Sequence, residues 1–302
     1  MQAPIALFAY KRPEHLRRCI AALAANPEAS RSDLYIFSDA SREASAAAGV
    51  DEVRAVIGSI SGFARVVPVF REVNFGLARS IIDGVGRVCA EHGRVVVVED
   101  DLVVSQHFLA YMNDGLTLYA SDLRVASIHG YVYPAQIPLP ETFFLRGTDC
   151  WGWATWSRAW QVFEPDAGKL LTQLRERGLA HSFDMDGVGP FISMLEDFIA
   201  GRNDSWAVRW HAATYLRGML TLYPGLSLVN NIGIDGSGTH SGVLDMYAGV
   251  LADMPVKVER IELAENLVAR GAFREFFAST RPSPPSRFLR RIRETARRVI
   301  RS

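Results

Sequence analysis

The sequence predicts an α/β fold with a mostly parallel sheet and helices on both faces. Short β-rich runs alternate with longer amphipathic runs from residue 5 to about residue 130, which is typical of a parallel sheet covered by helices. The run at 94–98 is dominated by valine, as expected of a strand buried on both faces. A chain of 302 residues that is 49% hydrophobic can also build a substantial core.

Strand and helix patterns follow one another along the first half of the chain. Residues 4–10 form the first predicted strand, and Pro13 suits the first turn of the next helix, whose buried stripe includes Leu16 and Leu23. Ser105 is suited to cap the helix that follows the acidic turn. The remaining predicted elements are a strand at 34–37, a helix over about 43–58, a strand at 65–70, a helix at 77–92 and a strand at 94–98.

The pattern changes after residue 130. Proline-containing loops, a tryptophan cluster, helical stretches near 190–200 and 206–218, and a glycine-rich segment at 233–242 follow. We predict one domain over 1–280, with halves at 1–130 and 131–280. A basic tail over 281–302 carries eight arginines against the single acid Glu294.

Composition excludes several classes of protein. Lysine plus arginine and aspartate plus glutamate number 33 each, so no overall charge attracts the chain to nucleic acid. Cys19, Cys89 and Cys150 are odd in number and lack CxxC spacing, which disfavours a disulfide framework or a structural zinc site. The sequence shows no signal-peptide pattern and no apolar run of roughly 20 residues, so we expect a cytoplasmic protein.

Polar side chains follow three of the predicted strands. In an open α/β sheet, ligands bind outside the carboxyl ends of the strands. Those ends carry Arg12, Asp39 and the run Glu99, Asp100 and Asp101. Three adjacent carboxylates raise one another's pKa unless positive charge lies nearby, and Mg²⁺ or Mn²⁺ would supply it. The alternative is an acidic loop that pairs with arginines or caps the next helix.

Four segments of the first half resemble the GT-A class of nucleotide-sugar glycosyltransferases, particularly the bacterial family 2-like enzymes and the N-acetylglucosaminyltransferase I type. They are residues 8–16, 36–39, 74–79 and 98–102, and the resemblance extends over roughly residues 4–245. It implies a GT-A Rossmann-like sheet, with a nucleotide-binding half at 1–130 and an acceptor-side half at 131–280.

The resemblance also implies a donor site. Asp39 would accept a hydrogen bond from uracil, and Arg12 would contact phosphate or base. The run 99–101 corresponds to the DXD motif in its EDD form, with Asp101 as direct ligand of Mn²⁺ or Mg²⁺. The other residues implied at the nucleotide-sugar site are Ala9, Tyr10, Asn74, Arg79, Glu99, Asp100, Trp151 and Gly152.

Residues of the second half complete the implied site. Trp151 and Gly152 lie in a glycine-containing loop that would face donor and acceptor, whereas Trp156 and Trp160 suit the core. Residues 194–197 resemble the xED motif, which implies Asp197 as catalytic base and Glu196 as its neighbour orienting the acceptor. An exposed helix face is the alternative, and Asp204 is a rival base.

His240 resembles the histidine of the family's flexible C-terminal segment, which closes onto metal or diphosphate. A lone histidine is more often not a ligand, but the flanking glycines suit a loop that orders on donor binding.

Taken together, the resemblance implies an inverting, metal-dependent transfer of a sugar from a nucleotide diphosphate donor, expected to be a UDP-sugar. The acceptor would be a hydroxyl of a glycan or lipid-linked glycan in bacterial surface polysaccharide synthesis. A non-catalytic binding module of the same fold is one alternative. An NAD-dependent dehydrogenase is another, although the first strand is followed by Lys11, Arg12 and Pro13 where G-x-G-x-x-G is expected. The tail at 281–302 suits peripheral contact with the inner face of the cytoplasmic membrane or a solvated tail, and both interpretations stay open.

Overall fold

The computed structural model describes residues 2–234, 245–247 and 249–281. Its strands are β1 (Ile5–Ala9), β2 (Asp33–Ser38), β3 (Arg65–Phe70), β4 (Arg94–Glu99), β5 (Leu102–Val104), β6 (Val125–His129), β7 (Thr142–Arg146), β8 (Trp153–Trp156), β9 (Leu220–Pro224) and β10 (Val229–Asn231). Its α-helices are α1 (Pro13–Ala24), α2 (Ala47–Gly58), α3 (Gly76–His92), α4 (Phe108–Leu118), α5 (Ser157–Trp160), α6 (Ala167–Glu176), α7 (Ala180–Phe183), α8 (Phe191–Ile199), α9 (Trp206–Leu216) and α10 (Leu267–Ser279).

Eight strands form one sheet in the order β3-β2-β1-β4-β8-β6-β9-β7. The first four are mutually parallel, as are β6 and β9, whereas β8 and β7 run antiparallel to their neighbours. The predicted mostly parallel α/β fold is therefore confirmed. The carboxyl ends of β1, β2, β4, β6 and β9 consequently meet at one edge, where ligands bind in open α/β sheets.

Alternate residues of the central strands pack on opposite faces of the sheet, because side chains alternate along a strand. Leu7 and Val96 pack with α1, α2 and α4 on one face. Phe8 and Val97 pack with α3, α5 and α9 on the other. Helices thus cover both faces, as predicted, and valine dominates β4 because neither of its faces meets water.

Two local expectations need adjustment. The helix expected over about 43–58 begins as a 3₁₀ turn at Ala44–Ala46 before α2 starts at Ala47. Ser105 does not cap α4 in the expected way, since α4 begins at Phe108 and its N-cap residue makes no side-chain capping bond. The Ser105 hydroxyl accepts from the amide of His107, the residue before α4, at 3.3 Å. It also donates to the Ala252 carbonyl at 2.7 Å, which joins this turn to a distant loop.

Among the residues that the structure describes, none of the helices has both the length and the apolar character to cross a bilayer. The basic tail predicted to contact a membrane lies outside the described residues from position 282 onward.

Gly84 of α3 provides a test of this packing. A Cβ at Gly84 would lie 2.6 Å from Phe8 Cε1, whereas a Cβ at Gly86 of the same helix would meet nothing nearer than 3.8 Å. We expect Gly84→Ala to lower the free energy of unfolding by about 1–3 kcal/mol through overpacking. The control Gly86→Ala should raise it by up to about 1 kcal/mol, because alanine favours helix. Urea denaturation measures both, and equal effects of the two substitutions would contradict the packing described.

Candidate active site

An acidic turn, formed by Glu99, Asp100 and Asp101, connects β4 to β5 at the carboxyl edge of the sheet. Glu99 is the last residue of β4 and pairs in register with Phe8 of β1. The Asp100 backbone amide donates to the Phe8 carbonyl at 3.0 Å. The Asp100 carboxylate accepts from the Tyr10 amide at 3.1 Å. The end of β1 therefore holds the acidic turn in place.

Arg12 lies between the end of β1 and the start of α1 and is the cation of this site. Its Nη2 is 2.6 Å from Asp101 Oδ2 and 3.4 Å from Asp100 Oδ1. Its Nη1 is buried and has no hydrogen-bond partner within the described part of the chain. A buried donor without a partner costs free energy, so Arg12 is suited to bind an additional acceptor.

One arginine does not balance three carboxylates. Burial raises the pKa of Asp100 to about 7, and the neighbouring Asp101 charge adds to the rise while Arg12 opposes it. Glu99 as a residue is half-buried. Burial of its carboxyl raises the pKa of Glu99 well above the usual range, and the charges of Asp101 and Asp100 add to that rise. The turn therefore favours further positive charge.

The segment after β10 covers Asp101. The Ile232 amide donates to the Asp101 carbonyl at 2.8 Å. A Cβ at Gly233 would lie 2.3 Å from Asp101 Oδ2 and 2.9 Å from Arg12 Nη1. Only glycine fits there, because the backbone passes directly over the Arg12–Asp101 ion pair. His240, the other predicted metal ligand, follows on this segment but lies outside the described residues.

Asp39 lies at the neighbouring strand end, and its carboxylate connects β2 to the start of α3. It accepts from the Phe75 and Gly76 amides, each at 2.8 Å, and from the Ala40 amide at 2.9 Å. A carboxylate at a helix N-terminus also interacts favourably with the helix dipole. The sequence interpretation missed this structural role, and the predicted hydrogen bond to uracil would have to coexist with it.

The other predicted donor-side residues lie around these two strand ends. The Ala9 carbonyl accepts from the Asp39 amide at 3.1 Å, and the Tyr10 hydroxyl accepts from the Arg42 amide at 3.0 Å. The Asn74 side chain donates to the Ala40 carbonyl at 2.6 Å. The exposed Arg79 instead places its guanidinium 3.8 Å over the Phe75 ring. None of the described contacts connects Arg79 with the acidic turn.

Trp151 and Gly152 belong to a loop over 147–152 that leads into β8. The Gly152 carbonyl accepts from the Gly130 amide at 2.7 Å, which brings the loop to the end of β6. The half-buried Trp151 ring lies 4.7 Å from the Tyr131 ring and 5.7 Å from the Tyr247 ring. Trp156 and Trp160 are buried, which confirms their predicted place in the core.

The predicted base and its neighbour lie on α8. Glu196 pairs with Arg175 at 2.7 Å, and Asp197 accepts from Arg202 Nε at 2.7 Å. Both carboxylates are well exposed. The structure's described contacts include none between these residues and the acidic turn, so their assignment remains a prediction. The rival Asp204 is 73% exposed and lies 3.8 Å from the Arg209 guanidinium.

Sequence reasoning missed Asp149, which precedes Trp151 by two residues in the loop over 147–152. Its Oδ2 lies 3.9 Å from His129 Nε2 at the end of β6. The neighbouring Cys150 thiol, whose pKa burial raises, also experiences the charges of Asp149, Glu99 and Asp101. Because Trp153 of β8 pairs antiparallel with Val97 of β4, Asp149 lies in the segment that runs beside the acidic turn. Its position two residues before Trp151 was the available sequence signal.

Two buried histidines near this loop make stability depend on pH. Burial lowers the pKa of His129 and of His211 from 6.5 to about 4. The unfolded chain therefore binds more protons than the folded chain between these values, and stability falls as pH decreases through this range. For each histidine, lowering the pH from 7.5 to 5 should therefore reduce the free energy of unfolding by about 2 kcal/mol. The raised pKa of Asp100 acts in the opposite direction.

A difference measurement isolates this effect. We expect the stability gap between the wild type and His129→Asn, measured by urea denaturation, to decrease by about 2 kcal/mol from pH 7.5 to pH 5. A gap that does not change with pH would show that His129 is not held neutral by burial.

The chain is similar to known proteins in structure and not in sequence. No protein-family model matches the chain, and no curated protein matches its sequence. The chain is similar in structure to TarS of S. aureus, with a TM-score of 0.39 and 9% identity over 75% of this chain, but it spans only 37% of that protein. It is also similar to glucosyl-3-phosphoglycerate synthase from Mycobacterium tuberculosis, solved with Mn²⁺, UDP and glucosyl-3-phosphoglycerate. That match has a TM-score of 0.34 and 13% identity and covers 67% of this chain and 82% of the synthase. Likeness at this level identifies neither the family nor the activity of the chain.

Proposed function

We propose that this protein is a metal-dependent glycosyltransferase that transfers a sugar from a nucleotide diphosphate donor, based on uridine, to a hydroxyl of a glycan or lipid-linked glycan. The observation that carries the proposal is the acidic turn beside an incompletely paired arginine, at the carboxyl edge of a parallel sheet. Such an edge is where α/β proteins bind nucleotides.

The charges of the site favour a metal–diphosphate over either component alone. Three carboxylates repel a free diphosphate, although Arg12 offers it a buried hydrogen-bond donor at Nη1. A divalent cation held by the carboxylates would remove that repulsion, and a phosphate oxygen would accept from Arg12 Nη1. A diphosphate that binds together with Mg²⁺ or Mn²⁺ therefore suits the site better than a diphosphate that binds without metal.

The residues present fit a cation that the protein holds only in part. Within the described residues, no three metal-binding side chains converge on one point. Mg²⁺ is commonly bound by one or two carboxylates, with phosphate oxygens and waters completing its coordination. Asp101 would hold the cation, and Asp100 and Glu99 of the same acidic turn would add negative charge nearby. When bound, the cation would stabilise the charge that develops on the departing diphosphate.

The chain's own residues would position the donor. Arg12 would bind a phosphate oxygen, and the close backbone passage at Gly233 would cover that phosphate. Asp39 fixes the start of α3, which would lie beside the nucleotide. Trp151 would offer an apolar ring to the C–H face of a sugar.

The finer parts of the proposal depend on the resemblance of the sequence. We propose inversion at the anomeric carbon, a hexosyl or N-acetylhexosaminyl donor group, and a role in surface polysaccharide synthesis. Peripheral membrane contact through 281–302 is proposed from the arginines and apolar residues of that segment.

The dehydrogenase alternative fits the site less well, whereas the binding module differs from the proposal only in turnover. A dehydrogenase binds its pyrophosphate without metal through a glycine-rich turn, whereas this chain places Arg12 and then Pro13 of α1 after β1, facing carboxylates. A non-catalytic module could share the whole donor site, and it would bind nucleotide-sugar without releasing UDP.

Metal-dependent nucleotide binding tests the proposal. We expect UDP with Mn²⁺ at about 100 times its Kd to stabilise the fold by about 2.7 kcal/mol, which raises Tm by about 5 °C. EDTA or Asp101→Ala should abolish this shift. Asp51→Ala, which removes an exposed carboxylate of α2, should retain it and serves as the control. An equal shift in EDTA, or a shift with NAD alone, would contradict the proposal.

A further inference from the structure

We propose that Asp149, and not Asp197, is the general base that removes the proton from the acceptor hydroxyl. This inference rests on the proposed function, since it assigns a residue to the transfer reaction. It follows from the position of Asp149, the absence of a competing cation among the described residues, the rigidity of its loop and the aromatic side chains beside it.

The position of Asp149 is set by strand ends on both sides of its loop. Gly152 is bonded to Gly130 just after β6, and His129 at the end of β6 lies 3.9 Å from the Asp149 carboxylate. Trp153 of β8 pairs antiparallel with Val97 of β4, so the residues before Trp153 run beside the residues after Val97, where the acidic turn lies. Asp149 is thus a carboxylate near the acidic turn that does not belong to the turn.

The Asp149 carboxylate has no cationic partner among the described residues. Its Oδ1 accepts from the Cys150 amide at 2.8 Å. Its Oδ2 faces His129, which burial keeps neutral because it lowers the pKa to about 4. No lysine or arginine of the described chain forms an ion pair with it, and its side chain is 20% exposed. Asp197, in contrast, is bound by Arg202 on an exposed helix face.

The loop holds Asp149 in a fixed place. The Gly147 amide donates to the Met219 carbonyl at 2.9 Å, and Thr221 Oγ1 donates to the Gly147 carbonyl at 2.6 Å. His211 Nδ1 lies 2.7 Å from the Thr148 carbonyl oxygen. Bonds to β9 and α9 therefore fix the residues directly before Asp149. A base held in this way needs little reorganisation when the substrate binds.

Aromatic side chains beside Asp149 suit a sugar acceptor. Trp151 and Tyr247 are each half-buried, and both pack edge-on with neighbouring rings. The charge of Asp149 also acts on the hydroxyl groups of Tyr131 and Tyr247. Aromatic faces with a carboxylate next to them match the C–H face and the hydroxyl of a sugar.

The proposed step balances in atoms and charge. The acceptor oxygen forms a bond to the anomeric carbon of the donor sugar, and the bond between that carbon and the diphosphate oxygen breaks. The bonding electron pair leaves with the nucleoside diphosphate, and the acceptor proton passes to Asp149 Oδ2.

Paired substitutions test the assignment, with UDP release from UDP-glucose and UDP-N-acetylglucosamine in Mn²⁺ as the readout and water as acceptor. We expect Asp149→Asn to lower the rate by at least about 100-fold, the usual contribution of a general base. Its UDP–Mn²⁺ thermal shift should remain, because Asp149 does not hold the donor. Asp51→Asn, which changes an exposed carboxylate of α2, is the matched control and should stay within about threefold of the wild type. Asp197→Asn tests the rival assignment.

The possible results separate the inference from the proposed function. If the wild type neither binds UDP nor releases UDP from a UDP-sugar, both proposals are overturned. If it binds UDP but releases none from a UDP-sugar, the protein is a binding module and Asp149 is not a general base. A wild type that turns over, with Asp197→Asn inactive and Asp149→Asn active, overturns only the inference. Loss of UDP binding in Asp149→Asn would overturn it as well, since the residue would then act on donor binding.

Discussion

Negative charge concentrated at the end of a buried strand is the constraint on which the site depends. β4 runs through the core with valines on both faces and ends in three consecutive acids. Arg12 compensates part of this negative charge. Burial in the fold raises the pKa of Glu99 and of Asp100. Such an arrangement costs stability unless another positive group binds, and the cation of the proposed metal–diphosphate would be such a group.

The surrounding structure is organised around this turn. β1 contributes backbone bonds to it, β5 and β10 pair directly after it, and Gly233 passes over its ion pair. Asp39 extends the arrangement to the next strand by fixing the start of α3. The result is the proposed donor site, built from strand ends that are far apart in sequence and adjacent in the sheet.

Local pattern was sufficient to predict much of the fold. The valine run predicted β4 to within one residue, since few other structures bury such a run. Helices near 77–92 and 206–218 were also predicted closely, the first because its apolar residues repeat at helical spacing. Parallel order and the antiparallel insertion of β8 between β4 and β6 depend on long-range pairing, which local pattern does not contain.

The site was predictable where it depends on strand ends and not where it depends on contacts between distant residues. Arg12 and Asp101 were expected at one edge, and they meet across 89 positions. The bonds of Asp39 to α3 and the proximity of Asp149 to His129 could not be seen, because each joins segments that only the folded sheet brings together. Asp197 was selected by motif similarity, whereas its pairing with Arg202 became visible only in the structure.

Electron paramagnetic resonance of Mn²⁺ tests the central claim most directly, because bound Mn²⁺ loses the sharp six-line signal of the free ion. A site that supplies only one or two carboxylates should bind Mn²⁺ weakly by itself and at least about tenfold more tightly with UDP, since each ligand completes the other's site. UDP should gain affinity from Mn²⁺ by the same factor. Mn²⁺ binding of equal strength with and without UDP would contradict the account, as would no binding in the presence of UDP.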